Sequence, residues 1–217
     1  MNYFIILSCI LAAAHAKSCY DESVSYCAHK STELKECGAR YGHVNHVRHQ
    51  LQNYLTLHLN SSFEYLLMST NLGGYVRNRE GMEKVLRHLS DSTWNDAIEL
   101  IKYMSKRGVD VIVDVGDARK VNAPETFSFS EIKTLAYALD SQKLIASEAM
   151  EIHKKSIDKA TMYDPEVASF LENQFLHKHS NVIREMAGLV IDLRKLIDQP
   201  NTDRVSYFIF DEYLKKM

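Results

Sequence analysis

The chain has 217 residues, with 26 basic against 28 acidic side chains, a net charge of −2, and 46% apolar and 25% charged residues. This is the make-up of a folded globular chain long enough to bury a sizeable core. The balanced charge excludes a basic surface for nucleic acid or for an anionic membrane. Only 8 glycines and 3 prolines are present, too few for the turns of a β-sandwich or barrel, so long helices are expected.

The chain opens with an apolar run, Phe4 to Ala14, well short of the roughly 20 residues that span a bilayer. It ends in Ala14-His15-Ala16, a small-x-small cleavage pattern. Residues 1–16 therefore read as a secretory signal peptide and Lys17 as the mature start. No later stretch is apolar enough to cross a membrane, so a secreted, soluble product is expected. Cys9 leaves with the signal. Cys19, Cys27 and Cys37 remain in an N-terminal extension, residues 17–43. An odd count in an oxidising compartment predicts one internal bridge plus one thiol for another chain, or else a free cysteine. No CxxC occurs, which argues against a zinc or redox motif.

Residues 44–217 read as one helical domain. The first helix spans about Asn45 to Leu72, with Val47, Leu51, Leu55, Leu59, Phe63 and Leu66 at helical spacing, and Gly73-Gly74 stop it. The second spans about Glu80 to Lys106 through Leu86, Leu89, Ala97, Leu100 and Met104; Gly108 ends it. A long connection follows, in which Val109–Val115 looks strand-like. The third helix starts near Ser128 or Ser130 and carries Ile132, Leu135, Leu139, Ala146, Ala149 and Met150. Asp164-Pro165 opens the fourth, as cap and first helical residue. Its stripe is Val167, Leu171, Phe175, Val182, Met186, Leu189 and Leu193. A short fifth helix, about Thr202 to Lys215, carries Val205, Phe208, Ile209 and Tyr213. Two short turns and one long connection between the pairs fit an all-α four-helix bundle with one long crossover.

Each long helix carries polar residues on its inward line. These are His58 and Tyr65 on the first, Thr93 and Asp96 on the second, Gln142 on the third and His179 on the fourth. Facing side chains from four helices are how a bundle builds an internal metal site. A di-iron site needs several hard carboxylates, and this set contains one. Thr93-x-x-Asp96 stands where a Glu-x-x-His pair would be required. A hydrogen-bonded polar cluster is the expectation, with one soft or borderline ion on His58, Asp96 and His179 as the alternative.

Several stretches carry a family resemblance: Tyr65-Leu-Leu-Met-Ser69, Lys106-Arg107-Gly108, Glu151-Ile-His153, Asp164-Pro165, Phe170-Leu-Glu172, Leu193-Arg-Lys195 and Tyr207-Phe-Ile-Phe-Asp211. In this order and on this helix pattern, the chain resembles a ferritin subunit, of the secreted light-chain type of insects. The likeness runs from about Val44 to Lys215, and the cysteine-bearing extension resembles the secreted branch. It implies a ferritin-like four-helix bundle with a short fifth C-terminal helix. It implies a 24-subunit shell storing ferric iron mineral, assembled with a catalytic heavy-chain-type subunit. The catalytic chain's iron-oxidising positions match His58, Tyr65, Thr93, Asp96, Gln142 and His179, and only the tyrosine is kept. The resemblance therefore implies a chain that is not an enzyme and has no tightly bound iron site of its own. Ferritin light-chain nucleation carboxylates fall on Asp91, Asp96 and Glu99, diluted by Lys84, Arg87 and His88. The three-fold channel positions fall on Ser169 and Glu172, so Glu172 is the candidate iron ligand there. The odd cysteine would tie this subunit to its heavy chain. The alternatives to this reading are a ferroxidase with an altered site and a monomeric secreted binding protein.

The remaining features have plainer readings. His43, His46 and His49 recur every three residues at a solvated helix start. His177-Lys178-His179 splits across helix faces and is no chelate. Asn60-Ser61-Ser62 is a glycosylation sequon, but in mid-helix, which argues against its use. Trp94 is expected to pack on a neighbouring helix or subunit.

Overall fold

The periodic segments all form helices in a computed structural model that describes residues 39–112, 130–158, 162–198 and 203–217. They are α1 (Val44–Gly73), α2 (Glu80–Lys106), α3 (Glu131–Ile157), α4 (Pro165–Leu171), α5 (His177–Ile197) and α6 (Asp203–Lys216). A π-helical turn, Glu172–Leu176, joins α4 to α5 without a break, so the two form the fourth helix of the bundle. No strand occurs among the described residues. Antiparallel α1 and α2 form one pair, and α3 packs on both α1 and α5, while α6 lies across α2 and α5. The signal peptide, the cysteine extension and most of the crossover lie outside the described residues.

Local chemistry explains the helix ends. Gly108 takes φ +68° at the end of α2, a conformation glycine adopts without steric cost. Its N–H then reaches Ser105 O at 3.0 Å and Val109 N–H reaches Met104 O at 2.9 Å. Asp164 caps α4 by accepting from Val167 N–H, with Pro165 in the first helical turn. Asp211 of α6 accepts from Met82 N–H at 2.9 Å in the first turn of α2. Gly81 permits this, because a Cβ there would lie 2.1 Å from Asp211 O.

Three sequence expectations need correction. Phe63 (52% exposed) and Met150 (61% exposed) lie outside the core. Steps of four residues overshoot a 3.6-residue turn, so the line from Leu51 through Leu55 and Leu59 has rotated off the core by Phe63. The buried line instead runs Leu55, His58, Ser62, Tyr65, Met68 and Leu72 on α1, and Ile145, Ala149 and Ile152 on α3. On α6, Val205, Phe208, Ile209 and Tyr213 all face outward, while Phe210 and Leu214 are buried. The strand reading of Val109–Val115 fails for residues 109–112, and the rest lies outside the described residues. Here the backbone finds a side-chain partner in place of a strand: Gln52 Nε2 donates to Ile112 O, and Ile112 N–H donates to Gln52 Oε1 at 3.1 Å.

One buried cation ties the ends together. Arg107, 1% exposed, follows α2 and donates from Nη2 to Asp164 Oδ2 at 2.9 Å. It also donates to Glu166, to the Tyr103 hydroxyl and to Tyr41 O. Asp164 in turn accepts from His43 N–H at 3.0 Å, at the start of α1. The termini of α1, α2 and α4 thus meet on one guanidinium. Burial works against charge on both partners. The Asp164 bond raises the Arg107 pKa in spite of it, and bonds from Arg107, Val167 N–H and His43 N–H lower that of Asp164.

Arg107→Met should therefore cost about 3–5 kcal/mol, since it strands a buried carboxylate. Arg107→Lys should recover little of this, because an ammonium cannot make the forked contact. Thermal unfolding at fixed protein concentration reads both. Asp164 has a folded pKa below its unfolded value of about 3.9. Its stabilisation is therefore complete above about pH 4 and is lost as pH falls through the folded value. Asp164→Asn should lower stability at pH 7 and flatten the acid limb of a urea-midpoint titration; an unchanged limb would refute this.

Candidate functional site

Two apolar clusters fill the bundle, one towards each end. The first holds Leu51 and Leu55 of α1, Ala97 and Leu100 of α2, Ile145 and Ala149 of α3, and Leu171 and Phe175 of the fourth helix. The second holds Tyr65 and Met68, Leu86 and Leu89, Leu135 and Leu139, and Met186 and Leu189 from the same helices. Between them on every helix lie buried polar residues: His58, Ser61 and Ser62, then Ser90 and Thr93, then Gln142, then His179. Four of the polar positions singled out in the sequence, His58, Thr93, Gln142 and His179, thus lie in a belt at mid-height of the bundle, with partly buried Asp96 at its edge and Tyr65 bordering it in the second cluster.

His58 is fully enclosed. Its Nδ1 donates to Tyr54 O at 2.9 Å, and its ring meets those of Tyr54 and Phe175 edge-on. The His179 ring lies 6.0 Å from it, centroid to centroid. His179 Nε2 bonds the Tyr54 hydroxyl at 2.9 Å. Burial pushes the two imidazoles down, to about 3 for His58 and about 4 for His179, so both are neutral at physiological pH. Burial pushes the Tyr54 phenol up, with the Asp96 charge adding to it.

Asp96, the only carboxylate of the set, is already occupied: Lys178 Nζ donates to its Oδ1 at 2.6 Å. Burial raises the Asp96 pKa and the Lys178 contact pulls it back. The π turn sets this arrangement. Its wider winding keeps Leu171, Phe175 and His179, four residues apart each time, on the buried side. Lys178, the next residue round, then reaches α2.

Tyr65 and Gln142 form a separate pair, Nε2 to hydroxyl at 3.1 Å, and burial pushes the Tyr65 phenol up. Thr93 turns back to its own helix and donates to Leu89 O at 2.8 Å. The six positions therefore divide. His58, Asp96 and His179 neighbour one another through Tyr54 and Lys178, Tyr65 meets Gln142, and Thr93 makes no bond to either group. Among the described residues no group of three or more His, Cys, Asp or Glu side chains is placed to hold a metal ion.

The other sequence candidates lie apart. Asp91 is exposed and faces Arg87 at 3.7 Å, and Glu99 is exposed and paired with Lys102 at 2.6 Å. Asp96 and Glu99 are neighbours on α2, but Asp91 is more than a turn away. Glu172 is exposed at the start of the π turn, while Ser169 accepts from the Asn173 amide. His43 touches Tyr163 O and does not join His46 and His49 in a metal group. Asn60 sits in the middle of α1 with its Oδ1 enclosed. Trp94 is half exposed and lines a shallow hollow with Leu59, Phe63 and Leu66. Cys19, Cys27 and Cys37 lie outside the described residues.

Two residues of the site escaped the sequence reading, Tyr54 and Lys178. Tyr54 precedes His58 by one turn on the same buried line and passes for core. Lys178 reads as a solvated lysine unless the π turn is known.

If Lys178 neutralises Asp96, then Lys178→Met should cost about 1–2 kcal/mol by stranding a largely buried carboxylate. Adding Asp96→Asn should restore part of that. Melting of the two singles and the double measures the coupling, and strictly additive losses would disprove it.

A ferritin-like domain profile matches residues 48–196 of the chain. The ferritin light chain of Trichoplusia ni is 35% identical over 98% of this chain and 97% of its own length. The ferritin light chain of Drosophila melanogaster is 32% identical over the full length of both. The crystal structure of Trichoplusia ni secreted ferritin superposes with a TM-score of 0.77 at 34% identity, covering 92% of this chain and 98% of that one. The chain belongs to the ferritin family of iron-storage proteins.

Proposed function

We propose that this chain is a structural, light-chain-like subunit of a secreted ferritin, without an iron-oxidising centre of its own. It assembles with a catalytic heavy-chain-type subunit into a 24-subunit shell and takes ferric mineral as shared cargo. The observation that carries the reading is the state of the belt. Its one carboxylate, Asp96, is bonded to Lys178 at 2.6 Å, and its two imidazoles are buried and neutral. Ferrous oxidation at a pair of irons needs several free carboxylates to balance charge and to bridge. Lys178 puts a cation against the one carboxylate that a metal would need.

Assembly is supported by the outward line of α6. Val205, Phe208, Ile209 and Tyr213 are all more than half exposed in the single chain. An apolar row of this length is what a subunit contact covers. Secretion is supported by the signal-like residues 1–16, and the odd cysteine of the extension supports a disulfide to the partner subunit. Glu172, exposed at the π turn, is the proposed ligand on the iron path. Asp91, Asp96 and Glu99 are weak nucleation candidates, since each faces a cation.

Ferrous oxidation by the full chain alone, followed by absorbance, should match buffer. Oxidation well above buffer that is lost on changing Asp96 and His179 would overturn the non-catalytic assignment. Native mass should give an iron-staining particle of several hundred kDa, with a band linked to a second polypeptide that disappears on reduction. An iron-free monomer would overturn the shell.

A further inference from the structure

The fourth helix of the bundle contains a π turn, Glu172–Leu176, closed by a bond from His177 N–H to Glu172 O. Such turns insert a residue of winding and recur at functional sites. The insertion changes which side chains stand together. Five residues apart on an α-helix, side chains point to different faces. Across a π turn the backbone bond itself spans five residues, so they line up as residues four apart do on an α-helix. Glu172 and His177 are that pair. Both are exposed, and among the described residues neither side chain makes a hydrogen bond or an ion pair.

Spacing and donor chemistry specify what fits. Helical neighbours one turn apart stand roughly 5–6 Å apart at Cβ, the arrangement in which two side chains of one helix share a zinc ion. The nearest cation does not interfere, because Lys178 is turned to α2 and bonded to Asp96 at 2.6 Å. Ser169, a turn before Glu172, is engaged elsewhere: its carbonyl oxygen and its Oγ accept from the Asn173 amide at 2.9 and 3.2 Å. Glu172 therefore finds its co-ligand after it in the chain, not before it. A carboxylate with an imidazole is a mixed oxygen and nitrogen set, suited to a borderline divalent ion such as zinc or ferrous iron, whereas magnesium and calcium take oxygen alone. The carboxylate offsets half the charge of the ion, and exposure keeps the desolvation cost low. Two protein ligands leave the remaining positions to water, so the ion stays exchangeable.

We propose that Glu172 and His177, brought together by the π turn, form a solvent-facing site for one exchangeable divalent ion of the zinc and ferrous class. The site extends the role given above to Glu172 but does not rest on shell assembly, because both ligands belong to one chain. It is also separate from the mid-bundle belt, whose His179 is buried while this pair is exposed.

The test uses the full chain, stripped of metal and titrated with zinc in excess magnesium. Zinc binding is followed by calorimetry beside Glu172→Gln, His177→Gln, the double variant and Ser169→Ala. The wild-type chain should bind one equivalent more than either single variant at position 172 or 177. The double variant should lose no more than a single does, because the two residues hold one ion. Ser169→Ala should bind as the wild-type chain does. All three positions are exposed, so the variants should fold, with unchanged melting in the absence of metal. Labelling by diethyl pyrocarbonate, read on the peptide by mass spectrometry, adds a signal from one residue: zinc should protect His177 in the wild-type chain and not in Glu172→Gln. Equal zinc in the wild-type chain and His177→Gln, additive losses in the double variant, or a His177 that zinc fails to protect would overturn the proposal. So would loss of the equivalent in Ser169→Ala, which would pair Glu172 with the residue before it. A monomer that binds this zinc would sink the shell and keep the site.

Discussion

The bundle depends on one guanidinium. A four-helix bundle with a long crossover has its two helical pairs connected only loosely by the chain, and something must fix their relative position. Arg107 does this at one end. It leaves α2 at Gly108, is buried, and receives the cap residue of α4 and the backbone that enters α1. Asp164 serves twice, as the helix cap and as the counter-ion. A charge buried this deeply is stabilising only when it is paired, and here both terminal nitrogens of the guanidinium are bonded while its Nε has no partner. A displaced α4 would strand both charges. At the other end Asp211 caps α2 from α6 across Gly81, where there is no room for a side chain.

Between these two clamps, the belt sets how closely the helices approach. Ser62 and Ser90 exchange hydrogen bonds with each other's carbonyls, 3.0 Å one way and 2.8 Å the other. Small side chains allow α1 and α2 to come together there, and the hydroxyls satisfy themselves on backbone. Elsewhere the belt is made of groups that are neutral or already paired. The core is therefore two apolar halves with a polar seam, and the seam costs little because nearly all of its members have partners.

Much of this architecture was legible in the sequence. Apolar spacing gave all the long helices to within a few residues, and the Asp164-Pro165 cap and the Gly108 stop fell where read. The belt residues were also found, because a polar side chain on an apolar line stands out. Three things were not legible. Four-residue steps count Phe63 as core, although a helix turns a little less than that. The short α6 presents two plausible faces, and only the Asp211 cap on α2 decides which is buried. The π turn inserts a residue of winding that no local composition announces. Without it His179 can still be placed, but the partner of Asp96 cannot.

That partner changes how the site is understood. Counting carboxylates shows only that one, Asp96, stands among these positions. The structure adds that the remaining carboxylate is filled from inside. Lys178 is tethered to the π turn, so as a counter-ion it is present at high effective concentration and needs no binding from solution. A ferrous ion competing for Asp96 must displace it and leave an ammonium beside two neutral imidazoles. Charge repulsion and the loss of a short ion pair oppose that step together. The imidazoles feel the same cation, since the Lys178 charge adds to burial in pushing both of them down. The Lys178–Asp96 ion pair therefore works against a divalent ion at the one carboxylate among these positions.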